Sequence, residues 1–318
     1  MSAEIHRRQL LKGAVGIGLT AGLGGWPTLA QAVTGISGAD LGPAEPFSFT
    51  ALQARAEALA RGPFVKVVVP SPDTLNAIDY DEYQKIRFKP DKSVKLDTDG
   101  RMPVQFFHLG KYATEPVRMH VVEDGQSREI IYSPSLFDIP DGHPAKALEA
   151  GAGFAGFRIM APDLKTDWFA AMGASYFRTS GPYNQYGLSA RGVAIDTAMP
   201  TPEEFPRFSE YWLEGATGDT TAPLTIYGLL DGPSVTGAYR MRTERLTDTR
   251  DVHRITMEID AVLYARKDVV RLGIAPFSSM FWYGEASRKQ SADWRPEIHD
   301  SDGLAILNGA GERIWRPI

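Results

Sequence analysis

Residues with the means for acid and base chemistry are crowded into one short stretch near the end of the sequence. The segment RPEIHDSDGL, residues 295–304, contains the carboxylates Glu297, Asp300 and Asp302 and the imidazole of His299. Such a cluster has three interpretations, namely a solvated turn, a metal-binding loop, or the acid and base of a reaction.

The spacing of these side chains does not fit a calcium loop. An EF-hand loop that begins at Asp300 needs a glutamate at its twelfth position, where the sequence has Gly311. The chain also has no cysteine, which excludes disulfides and thiolate metal ligands. We therefore expect neither a metal nor another cofactor. Asp302, which precedes Gly303, is typical of an Asp-Gly turn.

A glycine-rich segment, GAGFAG at residues 151–156, has the spacing of a dinucleotide-binding fingerprint. That fingerprint lies between a strand and a helix, so that the phosphates meet the helix N-terminus. The flanking sequences HPAKALEA and FRIMAP do not have this pattern. We interpret the segment as a bend at the edge of a sheet.

Composition and charge narrow the class of protein. The chain has 318 residues, of which 43% are hydrophobic and 23% charged, as expected for a globular protein with a substantial core. The net charge of −5 gives no electrostatic reason to expect nucleic acid as a partner, because phosphate binding requires a concentrated basic surface.

The first 32 residues have the features of an export signal. The paired arginines Arg7 and Arg8 precede a weakly apolar, glycine-rich segment, and residues 30–32 have the small-x-small pattern of a cleavage site. This segment is short for a membrane span, so we do not expect an integral membrane protein. We predict a twin-arginine signal peptide over residues 1–32 and an extended leader over residues 33–46.

The mature chain begins with one amphipathic helix. In FTALQARAEALARGP, residues 49–63, Thr50 and Gln53 have the spacing of a capping box. Apolar residues recur on one face, and the Gly-Pro pair at 62 and 63 ends the pattern. We therefore predict a short helix here.

Strand patterns dominate the remaining sequence. Runs rich in β-branched and aromatic residues are separated by Asp-Gly turns, which is typical of hairpins. Arg240 and Arg242 alternate with Tyr239 and Met241, which indicates a sheet with one face exposed to water. We predict a large antiparallel all-β sandwich over residues 47–318.

Several phrases, taken in order, are much more specific than any one of them. They include YQKIRFKP (83–90), FFHLG (106–110), YGLSARGVAIDTA (186–198), LTIYGLLDGPSVTGAYR (224–240) and RPEIHDSDGLAILNGAGERIWRP (295–317). Together they resemble the periplasmic glucan biosynthesis proteins G and D, and the twin-arginine signal resembles the D type. The resemblance implies a galactose-mutarotase-like β-sandwich. It also leads us to expect that this chain lacks the family's C-terminal immunoglobulin-like domain and that its sandwich is incomplete at the C-terminal end.

The resemblance further implies a periplasmic protein that acts in the biosynthesis of osmoregulated periplasmic glucans, which are polymers of β-1,2-linked glucose. Members of the D type are similar to glycoside hydrolases or transglycosylases that cut β-1,2-glucan. The implied general acid is Asp300, with Glu297 as its neighbour, and the implied base is Asp196. The expected partners are the glucan and a membrane glucan synthase. A non-catalytic glucan-binding or scaffold protein that assists this synthase is the alternative.

Elementary electrostatics leaves the roles of these carboxyls open. Burial and the charge of Glu297 would raise the pKa of Asp300, whereas an imidazolium at His299 would lower it. Asp196 fits a turn capped by Thr197 as well as it fits a catalytic base.

Sugar binding requires aromatic rings that pack on the C–H faces of the sugar and forked donors for its hydroxyl groups. Phe281 and Trp282 alternate on one predicted strand, so one of the two should be a plain core residue. The candidate substrate-binding residues are Tyr186, Arg191, Trp282, Tyr283 and His299.

Overall fold

The computed structural model describes residues 38–96, 102–215, 224–247, 253–290 and 294–317. The predicted signal peptide lies outside these residues, as do residues 33–37 of the predicted leader. The rest of that leader contains the first strand, so the sheet structure includes residues that the sequence pattern assigns to an extended segment.

The described residues form 22 strands. The first eleven are β1 (Leu41–Pro46), β2 (Arg87–Phe88), β3 (Val94–Lys95), β4 (Pro103–Phe107), β5 (Arg118–Glu123), β6 (Gln126–Ile130), β7 (Phe137–Asp138), β8 (Gly156–Met160), β9 (Asp167–Met172), β10 (Tyr176–Thr179) and β11 (Ser189–Arg191). The others are β12 (Val193–Ile195), β13 (Arg207–Glu214), β14 (Leu224–Asp231), β15 (Val235–Thr247), β16 (His253–Ala265), β17 (Leu272–Ile274), β18 (Phe277–Ser278), β19 (Phe281–Tyr283), β20 (Ile298–His299), β21 (Gly303–Leu307) and β22 (Arg313–Pro317).

Helices are few and short in this part of the chain. The α-helices are α1 (Phe49–Ala60), α2 (Pro72–Asn76) and α3 (Tyr80–Tyr83). Short 3-10 segments occupy Pro90–Lys92, Pro134–Leu136, Pro144–Ala147 and Glu285–Gln290, the last with a kink at Ser287. Within the described residues, none of these helices is both long enough and apolar enough to cross a membrane.

Two seven-stranded sheets contain most of the strands. Sheet I has the order β1-β6-β5-β13-β14-β15-β16, and sheet II has the order β18-β11-β10-β9-β8-β4-β3. Every pairing in these sheets is antiparallel except that of β5 with β13, which is parallel. A parallel pair needs a long crossover connection, and the chain from β5 to β13 supplies it by passing through sheet II.

The two sheets pack face to face around an aromatic core. Phe157 of β8 contacts Tyr211 of β13, with ring centroids 5.1 Å apart. The Tyr211 hydroxyl also donates to the carbonyl of Met172 in β9 at 3.5 Å. Both rings are fully buried, and each buried aromatic ring of this kind contributes about 1.5–3 kcal/mol through the hydrophobic effect. The predicted all-β sandwich is therefore confirmed.

The helix α1 covers the face of sheet I that points away from this core. Its residues Leu52 and Ala56 are buried against Trp212 of β13 and its neighbours. The predicted helix is thus confirmed, but the predicted cap was wrong. The N-cap is Ser48, whose Oγ accepts the N–H of Ala51 at 3.1 Å, so Thr50 already lies in the first turn.

Small two-stranded sheets extend the edge of sheet II where the candidate site lies. Strand β11 pairs with β18, and strand β12 pairs with β17. The chain segment from β11 to β12 therefore runs antiparallel to the segment from β17 to β18. Strand β19 pairs with β20 directly before Asp300. This arrangement places Asp300 and Ser301 of the segment RPEIHDSDGL against the turn between β18 and β19.

Candidate functional site

Asp300 is held by hydrogen bonds from the turn that follows β18. Its Oδ1 accepts hydrogen bonds from the Ser279 hydroxyl at 2.5 Å and from the Met280 N–H at 2.9 Å. Its own N–H donates to the Met280 carbonyl at 3.1 Å, which continues the pairing of β19 with β20. The carboxylate is therefore fixed at one oxygen by two donors and is half-buried.

These contacts lower the pKa of the Asp300 carboxyl group. Burial on its own raises the pKa of this carboxyl, but the hydrogen bonds from Ser279 and Met280 outweigh burial and hold the pKa below its ordinary value. The charge of His299 lowers the pKa further. Asp300 is consequently ionised at neutral pH, a state that suits a base or a nucleophile, whereas the resemblance implied a proton donor.

Glu297 and His299 form a pair of their own beside Asp300. Nε2 of His299 lies 3.1 Å from Oε2 of Glu297, and Nδ1 lies 3.7 Å from Oδ1 of Asp302. The hydrogen bond with Glu297 is the main cause that raises the pKa of His299 above its ordinary value. The imidazole ring also stacks on Phe281, with centroids 6.0 Å apart. Glu297 thus contacts His299, and His299 orders this segment rather than binding Asp300 directly.

Asp196 lies at a different place on the same edge. It follows β12 with a left-handed backbone (φ 56°), and its Oδ1 accepts the N–H of Arg271 at 2.9 Å. Asp300 pairs instead with Met280, at the other end of the segment that contains β17 and β18. The nine positions from Arg271 to Met280 would span about 30 Å if fully extended, at about 3.3 Å per residue, but the left-handed backbone of Ala275 (φ 47°) interrupts this segment. Asp196 and Asp300 are thus held at different positions of the segment, and the contacts of Asp196 are those of a turn residue.

Tyr186 lies next to Asp300 on the outer face of sheet II. Its neighbour Gly187 is so close to the Asp300 carbonyl that a Cβ at Gly187 would be 3.3 Å from that oxygen. The Tyr186 hydroxyl donates to Oδ1 of Asp167 at 2.7 Å, and the Arg178 guanidinium lies 4.5 Å from the centre of the ring. The ring of Tyr186 is therefore held by Asp167 and Arg178, and it is the main chain of Gly187 that lies against Asp300.

Arg191 is buried rather than exposed to a ligand. Its guanidinium lies between the rings of Tyr176 and Phe205, at 5.4 Å and 4.9 Å from their centroids. Nη1 donates to Oε1 of Glu203 at 2.7 Å, whereas Nε and Nη2 are buried without a hydrogen-bond partner among the described residues. Arg191 thus supports the ring of Phe205 from behind.

The two adjacent aromatic candidates on β19 have different environments. Trp282 is 57% exposed and presents its ring to solvent. Tyr283 is fully buried, and its hydroxyl donates to the carbonyl of Arg295 at 3.0 Å. Phe281 is 47% exposed, so the core member of this strand is Tyr283 and not one of the pair Phe281 and Trp282. Of these rings, Trp282 is the most exposed, whereas Phe281 stacks on His299.

Sequence reasoning missed the residues that fix the site. Ser279 and Met280 hold Asp300 although they are about twenty positions away in the sequence. Phe205 and Glu203 surround Arg191 and were not candidates. A serine that follows a strand pattern is a common turn signal, so Ser279 carried no local sign of its role.

Comparison with known proteins identifies the family. Residues 47–318 match the family model described as periplasmic glucan biosynthesis protein, MdoG. The chain is 45% identical over 324 residues to glucans biosynthesis protein D 2 of Ralstonia nicotianae. It is 43% identical over 319 residues to glucans biosynthesis protein D of Xanthomonas oryzae pv. oryzae, and 44% identical over 322 residues to the protein of that name from Stenotrophomonas maltophilia.

Each of these matches covers 99% of this chain but 58% of the relative, so the chain spans little more than half the length of the curated relatives that it matches. The chain belongs to the periplasmic glucan biosynthesis protein family.

Proposed function

We propose that this member of the periplasmic glucan biosynthesis protein family acts in the periplasm, after twin-arginine export, in the synthesis of osmoregulated periplasmic glucans. We further propose that it cleaves or transfers β-1,2-glucan at the surface around Asp300. The observation that carries this proposal is the carboxylate of Asp300, which is fixed by two donors and lies between the Tyr186 and Trp282 segments of the chain.

In this proposal Asp300 acts as the ionised carboxylate of the reaction. A glycosidase needs such a group either to activate water or to attack the anomeric carbon. The hydrogen bonds from Ser279 and Met280 keep Asp300 in that state, since they hold its pKa below the ordinary value. The exposed ring of Trp282 offers a platform for a sugar on the same edge.

The proton for the leaving oxygen comes from a second acid. Glu297 and His299 are the candidate pair on the same segment: their hydrogen bond raises the pKa of His299, so the imidazolium is the group of this pair that can donate a proton. Asp196 is the other candidate, and it takes part directly in an inverting reaction only if its carboxyl lies about 6.5–9.5 Å from that of Asp300; a larger separation requires a chain of water molecules.

The alternative function is glucan binding without cleavage, in support of a membrane glucan synthase. The observation that supports it is the exposed ring of Trp282, which a binding protein uses as much as an enzyme does. A binding protein needs the aromatic platform and the polar groups around it, but it does not need a matched acid and base.

The test is to incubate the purified full-length protein with linear β-1,2-glucan and to measure new reducing ends and product lengths. We expect turnover by the wild type and its loss, by at least about a hundredfold, in Asp300→Asn, because general-base or nucleophilic groups contribute at least that much. Asp302→Asn is the matched control, since this carboxylate is 87% exposed and belongs to a turn. Saturable binding with no turnover at any pH would favour the binding protein instead.

A further inference from the structure

A cavity lined by residues of four chain segments lies apart from Asp300, which is not among its lining residues. Its volume is about 390 Å³, within the range of roughly 300–1,000 Å³ that is usual for small-molecule sites. Small residues such as Ala155 and Gly173 form part of its lining, and Tyr112 and Phe205 contribute aromatic rings to it.

Both aromatic side chains that line the cavity are largely exposed to solvent. Tyr112 is 78% exposed and Phe205 is 57% exposed, although both line a cavity of the folded chain. The Phe205 ring is held from behind by the buried guanidinium of Arg191, 4.9 Å from its centroid. A ring that is fixed on one side and exposed on the other is suited to pack against the C–H face of a sugar.

The charged side chains that line the cavity neutralise each other. Nε of Arg207 lies 3.1 Å from Oε2 of Glu115. Nη2 of Arg207 donates to the carbonyls of Glu115 and Pro116. The pair therefore leaves no net charge at the cavity, which favours a neutral ligand over an ion.

Strand β11 connects this cavity with the candidate site. Gly187, just before β11, abuts the Asp300 carbonyl, and Arg191 at the end of β11 contacts Phe205. The path from Gly187 to Phe205 consists of four residues of strand and the side chain of Arg191. Its length places the cavity on the order of 20 Å from Asp300. That distance is suited to a polymer that contacts both places at once.

We propose that the cavity between Tyr112 and Phe205 is a distal saccharide subsite, which binds a neutral hexose unit of the same glucan chain whose other segment lies at Asp300. The identity of the polymer rests on the function proposed above. The subsite itself rests on the exposed rings, the paired charges and the support from Arg191.

The test compares the binding of long linear β-1,2-glucan with that of short oligosaccharides that cannot span both places. In the full-length protein, Phe205→Leu and Tyr112→Ala should each raise the Kd for the long glucan about three- to tenfold and leave the Kd for short oligosaccharides unchanged. Where the wild type turns the polymer over, KM for long chains should rise in the same proportion and kcat should stay the same. Tyr80→Ala is the matched control, because Tyr80 is also exposed (65%) but lies outside the cavity.

Unchanged affinity of both variants for the long glucan would overturn the subsite. That result is distinct from failure of the proposed reaction, which would appear as glucan binding by the wild type without turnover. Phe205→Leu keeps an apolar side chain on Arg191, and an unchanged melting temperature would confirm that each variant is folded.

Discussion

The outer face of sheet I contains a buried carboxylate that should make the fold sensitive to acid. Glu210 of β13 is 5% exposed and accepts hydrogen bonds from both terminal nitrogens of Arg55 in α1. His120 Nε2 lies 3.2 Å from the same carboxylate, and Arg118 Nη1 lies 3.6 Å from it. This cluster fastens α1 to the sheet, so protonation of Glu210 should loosen the helix.

The size of the effect follows from the pKa of Glu210. Burial raises this pKa, but the hydrogen bonds from His120 and Arg55 outweigh burial and hold it at about 2, below the ordinary value of 4.5. Because the pKa is lower in the folded state, the stabilisation is complete above pH 4.5 and is lost as the pH falls toward 2. The difference, 4.5 minus about 2, corresponds to about 3 kcal/mol at about 1.36 kcal/mol per pKa unit.

The assay is urea unfolding of the wild type and of Glu210→Gln as a function of pH. We expect the variant to be less stable by about 3 kcal/mol at pH 7, in line with the cost of breaking a buried ion pair. Between pH 7 and pH 3 this difference should shrink by about 2 kcal/mol, because the glutamate of the unfolded wild type takes up a proton over this range while Glu210 of the folded protein stays ionised. The control is Glu57→Gln, an exposed ion pair of α1, which should change stability by less than about 1 kcal/mol. A difference for Glu210→Gln that stays constant over this range would refute the electrostatic argument.

Three further predictions concern the candidate site and the backbone. Ser279→Ala should raise the pKa of Asp300, because it removes one of the hydrogen bonds that lower it, and the acid limb of the kcat/KM profile should move to higher pH. Trp282→Ala should weaken glucan binding about tenfold or less with no change in melting temperature, measured by titration calorimetry. Gly153→Ala should destabilise the fold by about 2 kcal/mol or more in urea unfolding, because its φ is 91° and a Cβ would lie 2.6 Å from Pro116. Gly142→Ala, with a φ of 76° and no atom near its Cβ, should cost less.

The sandwich could be predicted because its signal is local. In β15 the polar Arg240 and Arg242 are half-buried on one face, and Tyr239 and Met241 are buried on the other, as the alternation of the sequence indicates. The parallel pairing of β5 with β13 could not be predicted in the same way. It joins residues about ninety positions apart, and the period of two within each strand contains no information about which strand lies beside it.

The candidate site shows the same limit at the level of one carboxyl group. The sequence places Glu297 and His299 beside Asp300, and these neighbours affect its pKa in opposite directions. The decisive donors, Ser279 and Met280, come from the turn between β18 and β19, and they are about twenty positions before Asp300 in the sequence.

A proton donor needs a carboxyl that stays protonated, whereas two donors on one oxygen stabilise the ionised form. The geometry around Asp300 therefore argues for a base or nucleophile, and the sign of the pKa shift follows from the tertiary contacts rather than from the crowded segment itself. If kcat/KM instead required protonated Asp300, activity would fall as the pH rises through its pKa, and Ser279→Ala would extend activity to higher pH. If Asp300 acts as the base, Ser279→Ala moves the acid limb of the kcat/KM profile to higher pH. If Asp300 acts as the acid, the same variant moves the alkaline limb to higher pH.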